Sequence, residues 1–139
     1  MIHKLLIAYD GSESAKHALD FALDLAGKYS AELHVLAVAQ PPEFGTEVET
    51  EAMIEQSRHH CEHVLQPLKT KLASNPLQIT FEIDIGHPAE QILRYAERHG
   101  IDHIVIGHRG HSLFERWLLG SVAKQVVAYA PCAVTVVRG

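Results

Sequence analysis

Only two cysteines, Cys61 and Cys132, occur among the 139 residues, which leaves nothing to build a disulfide framework from. A reducing compartment is therefore the expected setting. Long apolar runs are missing too: Leu5-Leu6-Ile7-Ala8 gives way at once to Tyr9-Asp10-Gly11. That run is too short for a signal-peptide core or a membrane span, so the expected localisation is cytoplasmic, with no membrane partner. Positive charge is scarce, with 12 Lys and Arg against 17 Asp and Glu and a formal net charge of -5. Non-specific nucleic-acid binding needs a basic surface and is set aside. A nucleotide is not, because clustered backbone N–H groups can hold phosphates on an acidic protein. The Gly-Lys-Ser/Thr of a Walker loop is also lacking, so catalysis of that type is unsupported.

What is present reads as one globular domain over 1–139. With 47% hydrophobic and 21% charged residues, the chain can fill one core but is too short for two. Apolar runs alternate with helical periodicity throughout. The pattern predicts strands over 3–9, 32–39, 77–85, 103–106 and 133–137. Helices are expected from Ser12, with Ala15, Ala18, Leu19, Ala22, Leu25 and Ala26 on one face. A loop-like acidic stretch over 44–50 precedes a long helix carrying Met53, Cys61, Val64, Leu65, Leu68 and Leu72, which Pro67 should kink or divide. Another helix begins at Pro88 and stops at Gly100, and the last covers 121–129. In the third strand Ile79, Phe81, Ile83 and Ile85 alternate with polar residues, as on a strand exposed on one face. This β-α-β-α-β-α-β-α-β order implies a five-stranded parallel sheet with helices on both faces. In the order 3-2-1-4-5 the winding reverses between strands one and four, and ligands bind at such a switch point.

Two glycine-containing turns converge there. Strand one ends at Asp10-Gly11-Ser12; strand four runs into Gly107-His108-Arg109-Gly110, followed nine residues later by Gly120-Ser121 at a helix start. Glycine lets the backbone take positive φ and approach a ligand closely. A helix N-terminus attracts an anion, and Ser121 suits the N-cap. Asp10 fits three roles: ribose acceptor, Mg²⁺ ligand or helix cap; its place at the switch point favours the ligand roles.

The chain resembles the universal stress protein family, in its ATP-binding branch, over nearly its whole length. The resemblance rests on Ala8-Tyr9-Asp10-Gly11-Ser12-Glu13, on Val38 and on Gly86-His87-Pro88-Ala89. It rests also on the Gly-x2-Gly-x9-Gly-Ser signature from Gly107 to Ser121 and on the ending from Ala130 to Val137. The fold implied is the doubly wound, Rossmann-like sheet of the adenine nucleotide alpha hydrolases. The implied cofactor is ATP with Mg²⁺. Asp10 would contact the ribose or the phosphate side, and Val38 the adenine. Gly107, Gly110, Gly120, Ser121 and Val122 would surround the triphosphate, and Arg109 either reaches a phosphate or faces water.

Other constellations are weaker. Asp84-Ile85-Gly86-His87 is similar to the motif of nucleotidyl transferases, but Asp stands where that motif has His, and it follows the third strand, not the first. His59 and His63, four apart with Glu55 a turn earlier, could bridge a metal, although a solvated polar face accounts for them. Cys61 should face the core on the opposite side, and Cys132 is a small core residue. His108 and His111 flank the binding loop and are open to roles in sensing pH or phosphate.

Three functions stay open: a nucleotide-dependent stress-response regulator read by an unidentified protein partner, a slow ATPase or phosphotransferase in the same pocket, and an interaction module with an empty pocket. No catalytic residue is nominated, because the motif supplies mainly backbone donors. The last strand, Ala133-Val134-Thr135-Val136-Val137, is apolar and uncharged yet forms a sheet edge. Such an edge invites strand pairing, so a twofold homodimer with Val134 and Val136 near the axis is expected.

Overall fold

The computed structural model describes residues 2–42, 45–108 and 120–138. Five parallel strands form one sheet: β1 (Lys4–Ala8), β2 (Glu32–Ala39), β3 (Ile79–Ile85), β4 (His103–Gly107) and β5 (Ala133–Val137), in the order β3-β2-β1-β4-β5. Four helices alternate with them: α1 (Glu13–Tyr29), α2 (Glu47–Lys71), α3 (Pro88–Arg98) and α4 (Ser121–Tyr129). The expected fold is observed.

Period-two alternation sends neighbouring residues of a strand into different cores. Leu5 and Ile7 of β1, Leu33, Val35 and Ala37 of β2, and Val105 of β4 pack with α1 and α2 on one face. Leu6, Leu36, Ile104 and Ile106 pack with α3 and α4 on the other. Central strands must supply both cores, which is why they read as continuous apolar runs. β3 lies at an edge and supplies one: Ile79, Phe81, Ile83 and Ile85 all pack on the α1/α2 side.

Caps set the helix starts. Ser12 is the N-cap of α1, its Oγ accepting from the Ala15 N–H at 3.1 Å. Thr46 and Glu49 form a reciprocal capping box, 3.1 Å in each direction. That box starts α2 at Glu47, inside the stretch expected as loop; each such cap stabilises a helix by about 1 kcal/mol. Pro67 does not divide α2, which is continuous to Lys71. Proline removes one N–H and frees the carbonyl four residues earlier. Pro67 and His63 both lie on the exposed side of the helix, where the freed carbonyl is open to solvation.

Candidate functional site

At the C-terminal ends of the strands, a cleft of about 630 Å³ opens between the β1 and β4 turns, within the size range of small-molecule sites. A second hollow of about 500 Å³, near Gly27, Ser30 and Pro76 at the opposite end, has no helix N-terminus among its described lining residues. Six sequence-nominated residues line the first cleft: Asp10, Val38, Gly107, Gly120, Ser121 and Val122. Arg109 and Gly110, with His111, lie outside the described residues.

Each is held there by local chemistry. Asp10 follows β1, where the Tyr9 N–H is bonded to the Leu36 carbonyl at 2.8 Å. Its Oδ1 accepts from the Ser12 N–H at 2.9 Å, so Asp10 shapes the turn while Ser12 caps the helix. Gly11 takes φ 81°, a conformation that favours glycine. Asp10 is the one carboxylate among the described lining residues. Val38 stands near the end of β2, with its side chain on the α3/α4 face.

The helix start differs in detail from expectation. Gly120, not Ser121, is the N-cap of α4, and Ser121 is its exposed first residue. The Gly120 N–H is engaged by the His108 carbonyl at 2.7 Å, and the first helical bond runs from the Lys124 N–H to the Gly120 carbonyl at 2.9 Å. The N–H groups of Ser121, Val122 and Ala123 therefore have no acceptor within the helix and point toward the cleft end of the dipole. Gly120 has φ -63°, and Gly107 is not in the left-handed region either. What Gly107 uses is space. A Cβ on Gly107 would lie 2.9 Å from the Ser14 carbonyl carbon and oxygen, so β4 can approach α1 only without a side chain there.

Sequence reasoning missed one wall of the cleft. Ser57, His60, Cys61 and Val64 of α2 line it, as does Gln40 beyond β2. Cys61 is 6% exposed and reaches both the core and the cleft. Burial, with a smaller contribution from Glu62, pushes its thiol pKa up, so it is a neutral thiol at physiological pH. The 57-60-61-64 spacing puts these residues on one helical face, but nothing in the sequence places that face at the cleft.

His59 and His63 form no metal cluster with a third ligand among the described residues. His59 instead lies 3.4 Å from Glu55 and 3.5 Å from Glu62. Asp84 lies 3.3 Å from the Arg98 guanidinium. His87 caps α3 without a side-chain bond. Cys132 packs, half-buried, against the α3/α4 core, and burial raises its pKa as well. Among the described residues no helix is long and apolar enough to cross a membrane.

Comparison with known proteins places this architecture. The chain matches the description "Universal stress protein family" over residues 1–138. It belongs to the universal stress protein family. Among curated relatives, universal stress protein YxiE of Bacillus subtilis is 34% identical over 148 residues, covering 99% of this chain and all of the relative. Among solved structures, universal stress protein UspA from Lactobacillus plantarum superposes with a TM-score of 0.87 at 28% identity, covering 98% and 97% of the two chains. A more distant universal stress protein from Arabidopsis thaliana, determined with AMP bound, shares the fold at 20% identity and a TM-score of 0.69, over 98% and 91%.

Proposed function

We propose that this universal stress protein binds ATP and acts as a nucleotide-dependent regulator in the stress response. The observation that carries the reading is the single cleft lined by Asp10, Val38, Gly107, Gly120, Ser121 and Val122 at the switch point of the sheet. The α4 N-terminus offers what phosphates need: three N–H groups without helical acceptors, the Ser121 hydroxyl and the positive dipole end. Gly120 brings no side chain between helix and ligand. Asp10, a carboxylate at the cleft, suits ribose hydroxyls, and Val38 suits a flat apolar base. The donor set fits a polyphosphate better than a bare metal. Mg²⁺ would be held jointly by Asp10 and phosphate oxygens, neutralising charge there. The AMP carried by the Arabidopsis fold neighbour supports an adenine nucleotide as ligand class.

Acid extraction and chromatography of the purified protein test this, followed by calorimetry. Wild-type protein should carry or take up ATP. Gly120→Val, which sets a branched side chain at the phosphate approach, should weaken binding sharply. Wild-type affinity in Gly120→Val would overturn the placement, and release of phosphate from bound ATP would favour the ATPase alternative.

The same reading includes a homodimer. β5 is the last strand of the sheet, paired only with β4 among the described strands. Its outer backbone edge suits antiparallel pairing with a second copy about a twofold axis. Val134→Asp together with Val136→Asp should give monomers or aggregates in light scattering. A wild-type monomer at micromolar concentration would refute the dimer.

A further inference from the structure

The wall supplied by α2 has no part in the phosphate cradle, and its chemistry points elsewhere. α2 has 25 residues, about 37 Å at the usual helical rise, while β2 beside it has eight, about 26 Å. The helix descends to the lower end of the sheet before β3, so its N-terminal turns overshoot the upper edge. Ser57, His60, Cys61 and Val64 share one face of this overhang and line the cleft. The foot of the face is fixed to the site. Val64 Cγ1 would lie 3.4 Å from a Cβ on Gly11, so it packs directly on the turn that carries Asp10. The opposing side is Pro88 and Ile92 at the start of α3, with Gln40 between the two walls.

We infer that this overhanging face of α2 encloses the nucleoside half of the ligand and sets the selection for base and ribose. The inference rests on the nucleotide reading given above. The division follows from charge. None of the described residues on this wall is Lys or Arg, Cys61 is a neutral buried thiol and Val64 is apolar, so the wall has little to offer a phosphate. Cys61 and Val64 instead supply an apolar surface for a ring, and Ser57 and His60 supply a hydroxyl and an imidazole above it. A flat heterocycle edged with donors and acceptors, joined to a sugar, matches that combination. Phosphates are left to the α4 end, on the far side of Asp10. The site is thus bipartite, with the α2 wall serving the nucleoside and the α4 N-terminus the phosphates, while Val38 meets the base from the α3/α4 face.

Full-length wild type, Ser57→Ala/His60→Ala and Ser121→Ala are titrated with ATP by calorimetry and with adenosine by NMR. Ser57 is half-buried and His60 exposed, so the double variant keeps its core. It should lose about five- to tenfold in affinity for both ligands, the scale of one or two hydrogen bonds. Ser121→Ala should weaken ATP and leave adenosine unchanged. The inference is overturned if the double variant binds both ligands as wild type does, or if it loses ATP alone, which would turn the α2 wall toward the phosphates. Wild-type protein that takes up neither ligand would instead defeat the nucleotide reading itself.

Discussion

The two ends of the sheet use polar residues in opposite ways. At the N-terminal ends of the strands, side chains are spent on holding the elements together. Asp102 Oδ2 accepts from the His3 and Lys4 N–H groups at 2.8 and 3.1 Å, clamping the start of β4 to β1. Lys4 Nζ donates to the His99 carbonyl at 3.3 Å. His34 Nδ1 is hydrogen-bonded to the Tyr95 hydroxyl at 2.7 Å, and the Tyr95 and His99 rings lie 3.9 Å apart, centroid to centroid. Burial pushes the Tyr95 phenol up to about 12 and keeps it protonated. At the C-terminal ends the polar groups are backbone N–H, a serine hydroxyl and a carboxylate around open space, with glycines where side chains would intrude. One end closes the fold and the other is left open. Mutations at the two ends should therefore separate into losses of stability and losses of binding.

The largest effect tests the closed end. Tyr95 is 2% exposed and packs in the α3/α4 core, so Tyr95→Ala should cost about 3–5 kcal/mol through the cavity it leaves and the partner it strips from His34. Denaturant unfolding should register this with ATP affinity unchanged. Altered affinity in the folded variant would mean that the two ends communicate. The intermediate effect tests the open end: Ser121→Ala should cost about 1.5–3 kcal/mol of ATP affinity if the lost hydrogen bond is charge-assisted. Its unfolding curve should match wild type, because Ser121 is exposed and Gly120 is the cap.

The smallest effect is in the pH dependence of stability, again at the closed end. Burial lowers the pKa of His34, outweighing its opposing hydrogen bond to Glu32, and burial lowers His103 as well. A histidine lowered on folding binds fewer protons in the native state than in the unfolded one. Its contribution is complete above the unfolded value near 6.5 and declines as pH falls through the interval below it. Stability should drop with acidification from about pH 6.5 downward, and His34→Gln should flatten that slope. An unchanged slope would remove His34 from the account.

Legibility also differed between regions. β2, α4 and β5 occupy the predicted residues, because each is a clean apolar period between glycine, proline or serine stops. The α2 start was misplaced because the acidic composition of the stretch masked a Thr-x-x-Glu capping box. Pro67 sits on an exposed helix face, and sequence shows the proline without showing which face it takes. Six of the nominated site residues meet in one cleft, since turns after parallel strands must emerge at the same edge. The α2 wall escaped notice because Ser57, His60, Cys61 and Val64 carry no motif; their place depends on how far the helix overshoots its strands.

From the sequence alone came the alternation of strand and helix and the two turns that could meet a ligand. These follow from local rules: side-chain period, capping and chain breakers act within a few residues of one another. Tertiary structure alone decided the roles within that frame. It made Gly107 a contact with the Ser14 backbone and gave the capping position to Gly120, with its N–H bonded to His108. It also turned one face of a long helix into a wall of the cleft. Each depends on distances between segments far apart in the chain, which no local pattern encodes.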